Sequence, residues 1–340
     1  MLLRDTMHAV RPSSGPLMCL GSGAAFGAMA IFGKLAYGQG ATVGTLLSVR
    51  FAMAAALFWA IVLAGGHARE LRALPRRDIA VGLALGACGY SLQSGLYFTA
   101  LERIDASLLS LLLYTFPAIV AGAAVLLGRE RLDGRRVLAL ALALGGLVLV
   151  VAGAGAGHLE ALGAALGLGA ACVYSTYILI SDGIAGRLSA PVLSALVCTG
   201  AAIALASGSA IIGTLHPGAL TLAGWGWMAG IAVVSTVTAI CLFFAGLKRV
   251  GPTTASILAT VEPLVTVVLA FLVFGETLGG VQIFGGALVL SAVVVLNVRW
   301  SARMRGDDQV VRDAARVLRP RAVSLVDQPA VAARQDGAQA

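Results

Sequence analysis

The sequence predicts an all-α integral membrane protein with ten transmembrane helices, arranged as two five-helix repeats of inverted topology. Three observations carry this prediction. Of the 340 residues, 59% are hydrophobic and 12% are charged, whereas an ordinary soluble domain carries about 25% charged residues. The apolar residues form ten long runs. The second half of the chain also repeats the pattern of the first half.

Each apolar run has the length of a membrane-spanning helix. About 20 consecutive apolar residues are needed to cross the hydrocarbon core as a helix. Strands of a membrane barrel would be about ten residues long and would alternate between apolar and polar residues, so helices are the expected spanning element. The predicted spans are residues 17–37, 44–65, 79–99, 105–127, 137–156, 160–181, 190–212, 222–246, 253–274 and 279–298.

The positively charged residues predict the orientation of the chain. Lys and Arg are enriched in the cytoplasmic loops of membrane proteins. With the N-terminus inside, 21 of these residues fall in inside loops and tails, and only Arg103 falls in an outside loop. We therefore expect both termini in the cytoplasm. The net charge of +8 then reflects topology, and no nucleic-acid partner is expected.

An internal repeat appears when the sequence is shifted by 146 residues. The segment "LYFTALERIDASLLSLLLYTFPAIVAGAAVLLGRERL" (96–132) then aligns without a gap on "LFFAGLKRVGPTTASILATVEPLVTVVLAFLVFGETL" (242–278). Eleven of the 37 positions match, and they include Pro117 with Pro263 and Glu130 with Glu276. The same shift aligns "GSGAA" with "GLGAA", so the first and sixth predicted spans also correspond.

Because each repeat has an odd number of spans, the second repeat enters the membrane from the opposite side. Inverted repeats are typical of secondary transporters, whose substrate site lies near the midplane between the repeats. The expected units are a cytoplasmic lead, a first repeat, a second repeat and a disordered cytoplasmic tail. They cover residues 1–16, 17–156, 160–298 and 299–340.

Each half resembles the EamA module of the drug/metabolite transporter superfamily. The matching pieces are "GAMAIFGKLA" (27–36) and the two aligned segments around Pro117 and Pro263, the second continuing as "GGVQIFGGALVL". The resemblance covers about residues 17–298. It implies export or uptake of small metabolites, with amino acids as one recurrent class, by alternating access through a central cavity. It implies no enzyme chemistry.

Three charged residues inside the apolar runs are the first candidates for a functional site. They are Lys34, Arg50 and Glu262, and the repeat aligns them with Ile180, Leu196 and Phe116. Since each charge is absent from its counterpart, the repeated fold does not require it. A charge at bilayer depth costs about 2.5–3.5 kcal/mol on insertion scales, and it marks a functional site by default.

The three charges have different alternatives. Lys34 stands near the outer end of the first run and Arg50 about two turns into the second, so both could extend to the outer interface. Glu262 is too short and too deep for that. It is expected to carry protons, to balance a cationic group of the substrate, or to form a buried pair with Lys34 or Arg50. A purely structural role beside Pro263 is also open.

Polar and aromatic residues at helical spacing complete the predicted cavity. One stripe is formed by Tyr90, Gln93 and Tyr97, and a second by Tyr174 and Tyr177. A glutamine needs a polar partner away from lipid, which favours a cavity-facing stripe. The candidates for substrate binding or coupling are Glu262, Tyr90, Gln93, Tyr97, Tyr114, Phe116, Tyr174, Tyr177, Lys34 and Arg50.

The twin prolines and glutamates suggest structural roles shared by both halves. Pro117 and Pro263 each lie midway along a run, where proline removes a helical hydrogen bond and bends the helix. Glu130 and Glu276 follow the ends of runs and are expected at the interface. Four-residue glycine spacings, as in Gly23/Gly27, Gly82/Gly86, Gly163/Gly167 and Gly226/Gly230, favour close approach of helices.

The sequence therefore favours a secondary carrier in the cell (inner or plasma) membrane, exporting or exchanging small metabolites such as amino acids. A non-transporting membrane module, for lipid handling or sensing, is the alternative. No nucleotide-binding loop, metal-ligand spacing or catalytic set is visible, so neither a cofactor nor enzyme activity is expected. Protons are a candidate coupling ion. The substrate and the oligomeric state do not follow from the sequence.

Overall fold

A computed structural model describes residues 14–127, 134–153, 160–185 and 187–296. Within these ranges the regular secondary structure is helical throughout, in agreement with the predicted all-α class. Most of the predicted N-terminal lead, Glu130 and the whole predicted tail lie outside the described residues.

Ten apolar helical segments follow one another along the described chain, with a short helix, Ala68–Ala73, between the second and the third. We label them α1 (Ser14–Tyr37), α2 (Val43–Ala64), α3 (Arg76–Leu101), α4 (Ala106–Leu126), α5 (Gly134–Gly153), α6 (Ala161–Ala185), α7 (Ala190–Ile212), α8 (Leu222–Val250), α9 (Pro252–Ala259 and Val261–Phe274) and α10 (Gly280–Leu296).

Eight of these helices, α1 to α8, are long and apolar enough to cross a membrane. The two others are shorter for identifiable reasons. Helix α9 is divided at Thr260, three residues before Pro263, and the described part of α10 ends at Leu296. The predicted count of ten spans therefore stays a prediction, while the multi-helix membrane architecture is supported by the eight long helices.

The helix boundaries reproduce the internal repeat. Helices α3 and α4 begin at residues 76 and 106, and α8 and α9 begin 146 residues later, at 222 and 252. The interruptions also correspond. A turn at Tyr114–Thr115 precedes Phe116 and Pro117 in α4, as Thr260 precedes Glu262 and Pro263 in α9.

Helices α3 and α8 each contain one π-helical segment. It covers Leu85–Tyr90 in α3 and Val233–Thr238 in α8. Such segments widen the helical turn locally and often occur at functional sites. Tyr90, at the end of the first segment, and Thr236, inside the second, occupy equivalent positions of the repeat. The two halves therefore deform their third helix at nearly the same place.

Glycines permit the tightest helix contacts. A Cβ atom on Gly86 of α3 would lie 2.0 Å from the Val197 carbonyl oxygen of α7, and one on Gly200 would lie 2.0 Å from the Leu83 oxygen. Gly23 is also in close contact with α9, and Gly163 with Ile104 in the turn between α3 and α4. The expectation for Gly226 is wrong, because a Cβ there would meet no atom within 4 Å.

The core lies along α2, where Phe51 and Phe58 are fully buried, together with Phe98 of α3. Large apolar side chains such as Leu126, Ile211 and Leu272 remain exposed on the outer surface. A soluble protein rarely exposes so much contiguous apolar surface, whereas lipid contact favours it. The fold thus has a packed interior around α2 and an apolar exterior.

Candidate functional site

The division of α9 creates a polar point inside the protein. Pro263 has no backbone N–H, so the carbonyl of Ala259, four residues earlier, loses its helical partner. The Tyr114 hydroxyl of α4 lies 2.7 Å from this oxygen and 3.0 Å from Glu262 Oε2. A residue of the first half thus contacts both polar groups of the break in the second half.

The Tyr114 hydroxyl therefore faces two possible acceptors but has only one proton to donate. Tyr114 can donate to Ala259 or to an ionised Glu262. When the Glu262 carboxyl is protonated, it can donate to the Tyr114 oxygen while Tyr114 donates to Ala259. The arrangement is therefore able to accommodate both protonation states of the carboxyl group.

Helix α1 holds the break in place from the other side. A Cβ atom on Gly27 would lie 2.7 Å from the Glu262 carbonyl oxygen, so only glycine fits there without a shift. The Thr266 hydroxyl donates to the Gly27 carbonyl oxygen at 2.9 Å. Pro263 and Thr266 are buried, whereas Glu262 is only half-buried. The break is therefore tightly packed against α1.

A continuous aromatic belt leads from Glu262 to a second charge. Each ring contacts the next, with centroids 4.8–6.3 Å apart. Such offset and edge-to-face contacts are the favoured geometries of aromatic pairs. We define the aromatic belt by its members in order: Tyr114, Phe116, Tyr174, Tyr177, Tyr90 and Phe51.

Arg50 lies at the far end of the aromatic belt. Its side chain is fully buried, and its guanidinium carbon lies 4.8 Å from the Phe51 ring centroid and 5.4 Å from that of Phe98. The Nε atom donates to the Thr236 hydroxyl at 3.1 Å. Extension of Arg50 to the outer interface, one of the two expectations, is therefore wrong.

Glu262 and Arg50 share a neighbourhood without being paired. Glu262 contacts Tyr114 at one end of the aromatic belt, and Arg50 contacts Phe51 at the other. In the part of the chain that the structure describes, however, no ion pair joins Glu262 to Arg50 or to Lys34. The expected alternative of a buried Glu262 pair is therefore not observed. A carboxyl group and a guanidinium are instead separated along one aromatic wall.

The other two members of the predicted α3 stripe are more deeply buried than Tyr90. The Gln93 side-chain oxygen accepts a hydrogen bond from the Ser94 hydroxyl at 3.2 Å, and Tyr97 packs edge-on against Phe98 at 5.3 Å. Both side chains are buried, and neither belongs to the aromatic belt. The structure thus brings seven of the ten candidates into the belt or to its charged ends, and Tyr97 reaches Arg50 only through Phe98.

Lys34 lies apart from the aromatic belt, at the end of α1. Its Nζ atom is 2.7 Å from Glu276 Oε1 and 3.8 Å from Asp105 Oδ1. The backbone N–H groups of Ala106 and Ser107 also donate to Glu276. Glu276 therefore caps the N-terminus of α4 from the segment between α9 and α10, and Lys34 has a structural partner.

The Glu276 cluster yields a stability prediction. Burial disfavours the charged carboxylate, but hydrogen bonds from Lys34, Ser107 and Ala106 hold the pKa of Glu276 below its usual value. A lowered pKa in the folded state means that the carboxylate stabilises the fold above the ordinary glutamate range. This contribution is lost as the pH falls through the lowered value.

We therefore expect Glu276→Gln to lower the free energy of unfolding by about 2 kcal/mol near neutral pH. Asp105→Asn is the matched control, since that carboxylate is 62% exposed and should contribute about 0–1 kcal/mol. Melting temperatures in detergent across a pH series measure both. A gap between wild type and Glu276→Gln that widened on acidification would contradict the prediction.

Several residues at the site carry no sequence signal of their own. Phe51 and Phe98 resemble ordinary core residues. Thr236 stands in a cluster of hydroxyl side chains on α8, where such groups often bond only their own backbone. Its hydroxyl does donate to the Ile231 carbonyl at 3.0 Å, but it also accepts from Arg50. The sequence signal that could have identified Thr236 as a site residue is its alignment with Tyr90 in the repeat.

Known proteins share the pattern of this chain in both of its halves. The model of the "EamA-like transporter family" matches residues 13–152 and again residues 161–298. The chain belongs to the EamA-like transporter family. Two matches in succession account for nearly all of the described helices. As an EamA-like transporter, the protein is a multi-pass membrane transporter that binds a small-molecule substrate, and it is not an enzyme.

Curated relatives of this EamA-like transporter include the uncharacterized transporter YcbK of Bacillus subtilis. It is 27% identical over 293 residues, covering 84% of this chain and 94% of the relative. An uncharacterized transporter of Archaeoglobus fulgidus is 31% identical over 200 residues, or 58% of this chain and 70% of that one. The threonine/homoserine exporter RhtA of Salmonella typhimurium is 28% identical over 234 residues, or 67% and 72%.

One solved crystal structure also resembles this EamA-like transporter. The two superpose with a TM-score of 0.59 at 20% sequence identity, over 86% of this chain and 99% of the other. At this identity the likeness concerns the fold alone. Together the comparisons establish the transporter family and set aside the alternative of a non-transporting membrane module.

Proposed function

We propose that this EamA-like transporter is a secondary carrier that exports or exchanges small metabolites, such as amino acids or related amphipathic compounds. The solute would pass by alternating access through a central cavity lined by the aromatic belt. One observation carries this proposal: Tyr114 of the first half contacts the Glu262 carboxyl group and the freed Ala259 carbonyl of the second half. A site between two repeats is where secondary transporters bind their substrates.

The chemistry of the site favours an amphipathic solute. Aromatic rings offer a large apolar surface, while Glu262 and Arg50 offer one charge of each sign. The relative RhtA is named a threonine/homoserine exporter, which supports amino acids as a class to test. Protons are a candidate coupling ion, because Tyr114 can bond Glu262 in either protonation state. Pro117 and Pro263 would serve as hinges that both repeats share.

Counterflow into proteoliposomes tests the proposed function. Vesicles containing the purified protein are loaded with one unlabelled amino acid and diluted into the same radiolabelled compound. Threonine, homoserine and phenylalanine sample polar and aromatic side chains. We expect saturable accumulation for at least one compound and none in protein-free vesicles. Equal, unsaturable uptake in both preparations across all twenty amino acids would contradict amino-acid transport.

We further propose the inverted topology, with ten spans, both termini in the cytoplasm and the protein in the plasma membrane. The cation distribution and the equivalent helix starts support it. Single cysteines replace exposed residues in a chain whose five native cysteines are removed. Gly218→Cys, in the segment between α7 and α8, should react with an impermeant thiol reagent on intact cells, and Ala73→Cys should not. The reverse pattern would contradict the orientation.

A further inference from the structure

We propose that Arg50 is the carboxylate-binding residue of the central site, so that the substrate is a small carboxylic acid with an apolar part, as an amino acid is. This inference rests on the proposed function and names the group that the site recognises. It follows from the burial of Arg50, from its partners and from its position opposite Glu262.

A buried arginine such as Arg50 needs a counter-charge. The Arg50 side chain is 2% exposed, yet no carboxylate among the described residues forms an ion pair with it. Buried charges in proteins are normally paired, because an unpaired one loses its hydration without compensation. The rings of Phe51 and Phe98 compensate part of the cost through cation–π contacts. The formal charge is left for a ligand to balance.

The Arg50 guanidinium has more hydrogen-bond donors than the Thr236 hydroxyl can accept. Thr236 donates its own proton to the Ile231 carbonyl, so its oxygen can only accept from Arg50 Nε. This bond orients the guanidinium. Its two terminal nitrogens carry four N–H groups, and a hydrogen bond to the Tyr90 hydroxyl leaves most of them for other acceptors. Two terminal nitrogens in one plane match the two oxygens of a carboxylate.

Arg50 also occupies a distinctive position in the internal repeat. Arg50 lies between Tyr90 and Thr236, which are equivalent residues of the two halves, although its own counterpart is Leu196. It therefore stands at the junction of the halves as a single charge without a twin. The repeated architecture does not need this cation. A substrate that reached the junction through alternating access would contact it.

The two ends of the aromatic belt carry opposite charges, so they would orient a bound solute. Glu262 would repel a carboxylate and attract an ammonium group, while Arg50 would do the reverse. A zwitterion would thus bind with its carboxylate at Arg50, its apolar part on the rings and its ammonium group toward Glu262. Thr236 is a positioning residue in this arrangement, because it acts on the substrate through Arg50.

Binding measurements on the purified full-length protein test the inference without requiring flux. The twenty standard L-amino acids are screened by thermal shift. Each one that binds is compared with its methyl ester, which keeps the ammonium group and the side chain but lacks the carboxylate. Wild type should bind the free acid at least about tenfold more tightly, as expected for charge-assisted hydrogen bonds. Arg50→Gln should abolish this preference, mainly by weakening binding of the free acid.

Two further variants keep the test decisive if Arg50→Gln does not fold. Arg50→Lys retains the charge without the planar fork, and should retain part of the preference for the acid. Thr236→Val retains Arg50 but removes the acceptor of Nε, and should weaken acid binding more than ester binding. The wild-type ratio of acid to ester affinity needs no variant at all.

The inference is overturned if none of the twenty amino acids binds, if acid and ester bind wild type equally, or if Arg50→Gln keeps the preference. Equal loss of acid and ester binding in a folded Arg50→Gln protein would also overturn it, since Arg50 would then be structural. Carboxylate-selective binding without counterflow would contradict the proposed carrier alone. Counterflow with equal affinity for the ester would contradict the Arg50 assignment alone.

Discussion

Replacing Gly86 with alanine is expected to lower the free energy of unfolding by about 3 kcal/mol, although it adds a single methyl group. The added Cβ would lie 2.0 Å from the carbonyl oxygen and 2.7 Å from the carbonyl carbon of Val197. These are backbone atoms of α7, which no side-chain rotation can move away. Helices α3 and α7 must therefore separate, and the contact between them would be lost.

Gly226→Ala is the matched control for Gly86→Ala. Gly226 lies in α8, where an added methyl group would have no atom within 4 Å. Alanine in an open helical position is favoured over glycine by about 1 kcal/mol. The two substitutions should thus have opposite signs. Melting curves in detergent, read by size-exclusion chromatography, measure both, and similar shifts for the two variants would contradict the packing of α3 on α7.

Gly200→Ala extends the comparison to the partner helix. A Cβ there would lie 2.0 Å from the Leu83 carbonyl oxygen, so its effect should match that of Gly86→Ala. The double variant should cost less than the sum of the two, because either methyl group already separates the helices.

The regular part of this architecture could be predicted from the sequence. Apolar runs of about 20 residues indicate membrane helices by length alone. The gapless shift of 146 residues, found over residues 96–132 and 242–278, agrees with the equivalent starts of α4 and α9, whereas the predicted starts of the third and eighth spans, at 79 and 222, did not share this shift. Both features depend on local composition, which the chain carries in every segment.

The details that build the site could not be predicted in the same way. The depth of Arg50 depends on how α2 packs against α3 and α8, and a long side chain near a helix end can as well extend to the interface. Lys34 illustrates the other outcome, since Glu276 lies beside it. The π-helical segments that contain Tyr90 and Thr236 have no counterpart in the periodicity of the sequence.

The second large effect is expected at Glu262. Glu262→Gln keeps the size of the side chain and one acceptor for Tyr114, but it removes the titrating group. If the carboxyl group carries protons or faces a cationic group of the substrate, initial rates of transport should fall about tenfold or more. Protein levels and melting temperature should stay close to wild type, because the amide can still bond Tyr114.

Phe116→Leu tests the apolar side of the same site. The Phe116 ring centroid lies 4.8 Å from that of Tyr174 and 5.8 Å from that of Tyr114, and Phe116 is the second ring of the aromatic belt. Leucine keeps an apolar surface but removes the two ring contacts. We expect transport of aromatic or aliphatic substrates to weaken more than transport of small polar ones. An equal loss for both kinds would indicate a general packing defect.

The pH dependence of counterflow by wild type and Glu262→Gln, in matched proteoliposomes, tests the central claim most directly. The claim is that the carboxyl group at the break of α9 is the working polar group of the cavity between the halves. We predict a wild-type rate that varies with pH and a Glu262→Gln rate that is low and nearly independent of it. Unchanged rate, substrate preference and pH profile in Glu262→Gln would contradict the claim and leave Glu262 as a structural companion of Pro263.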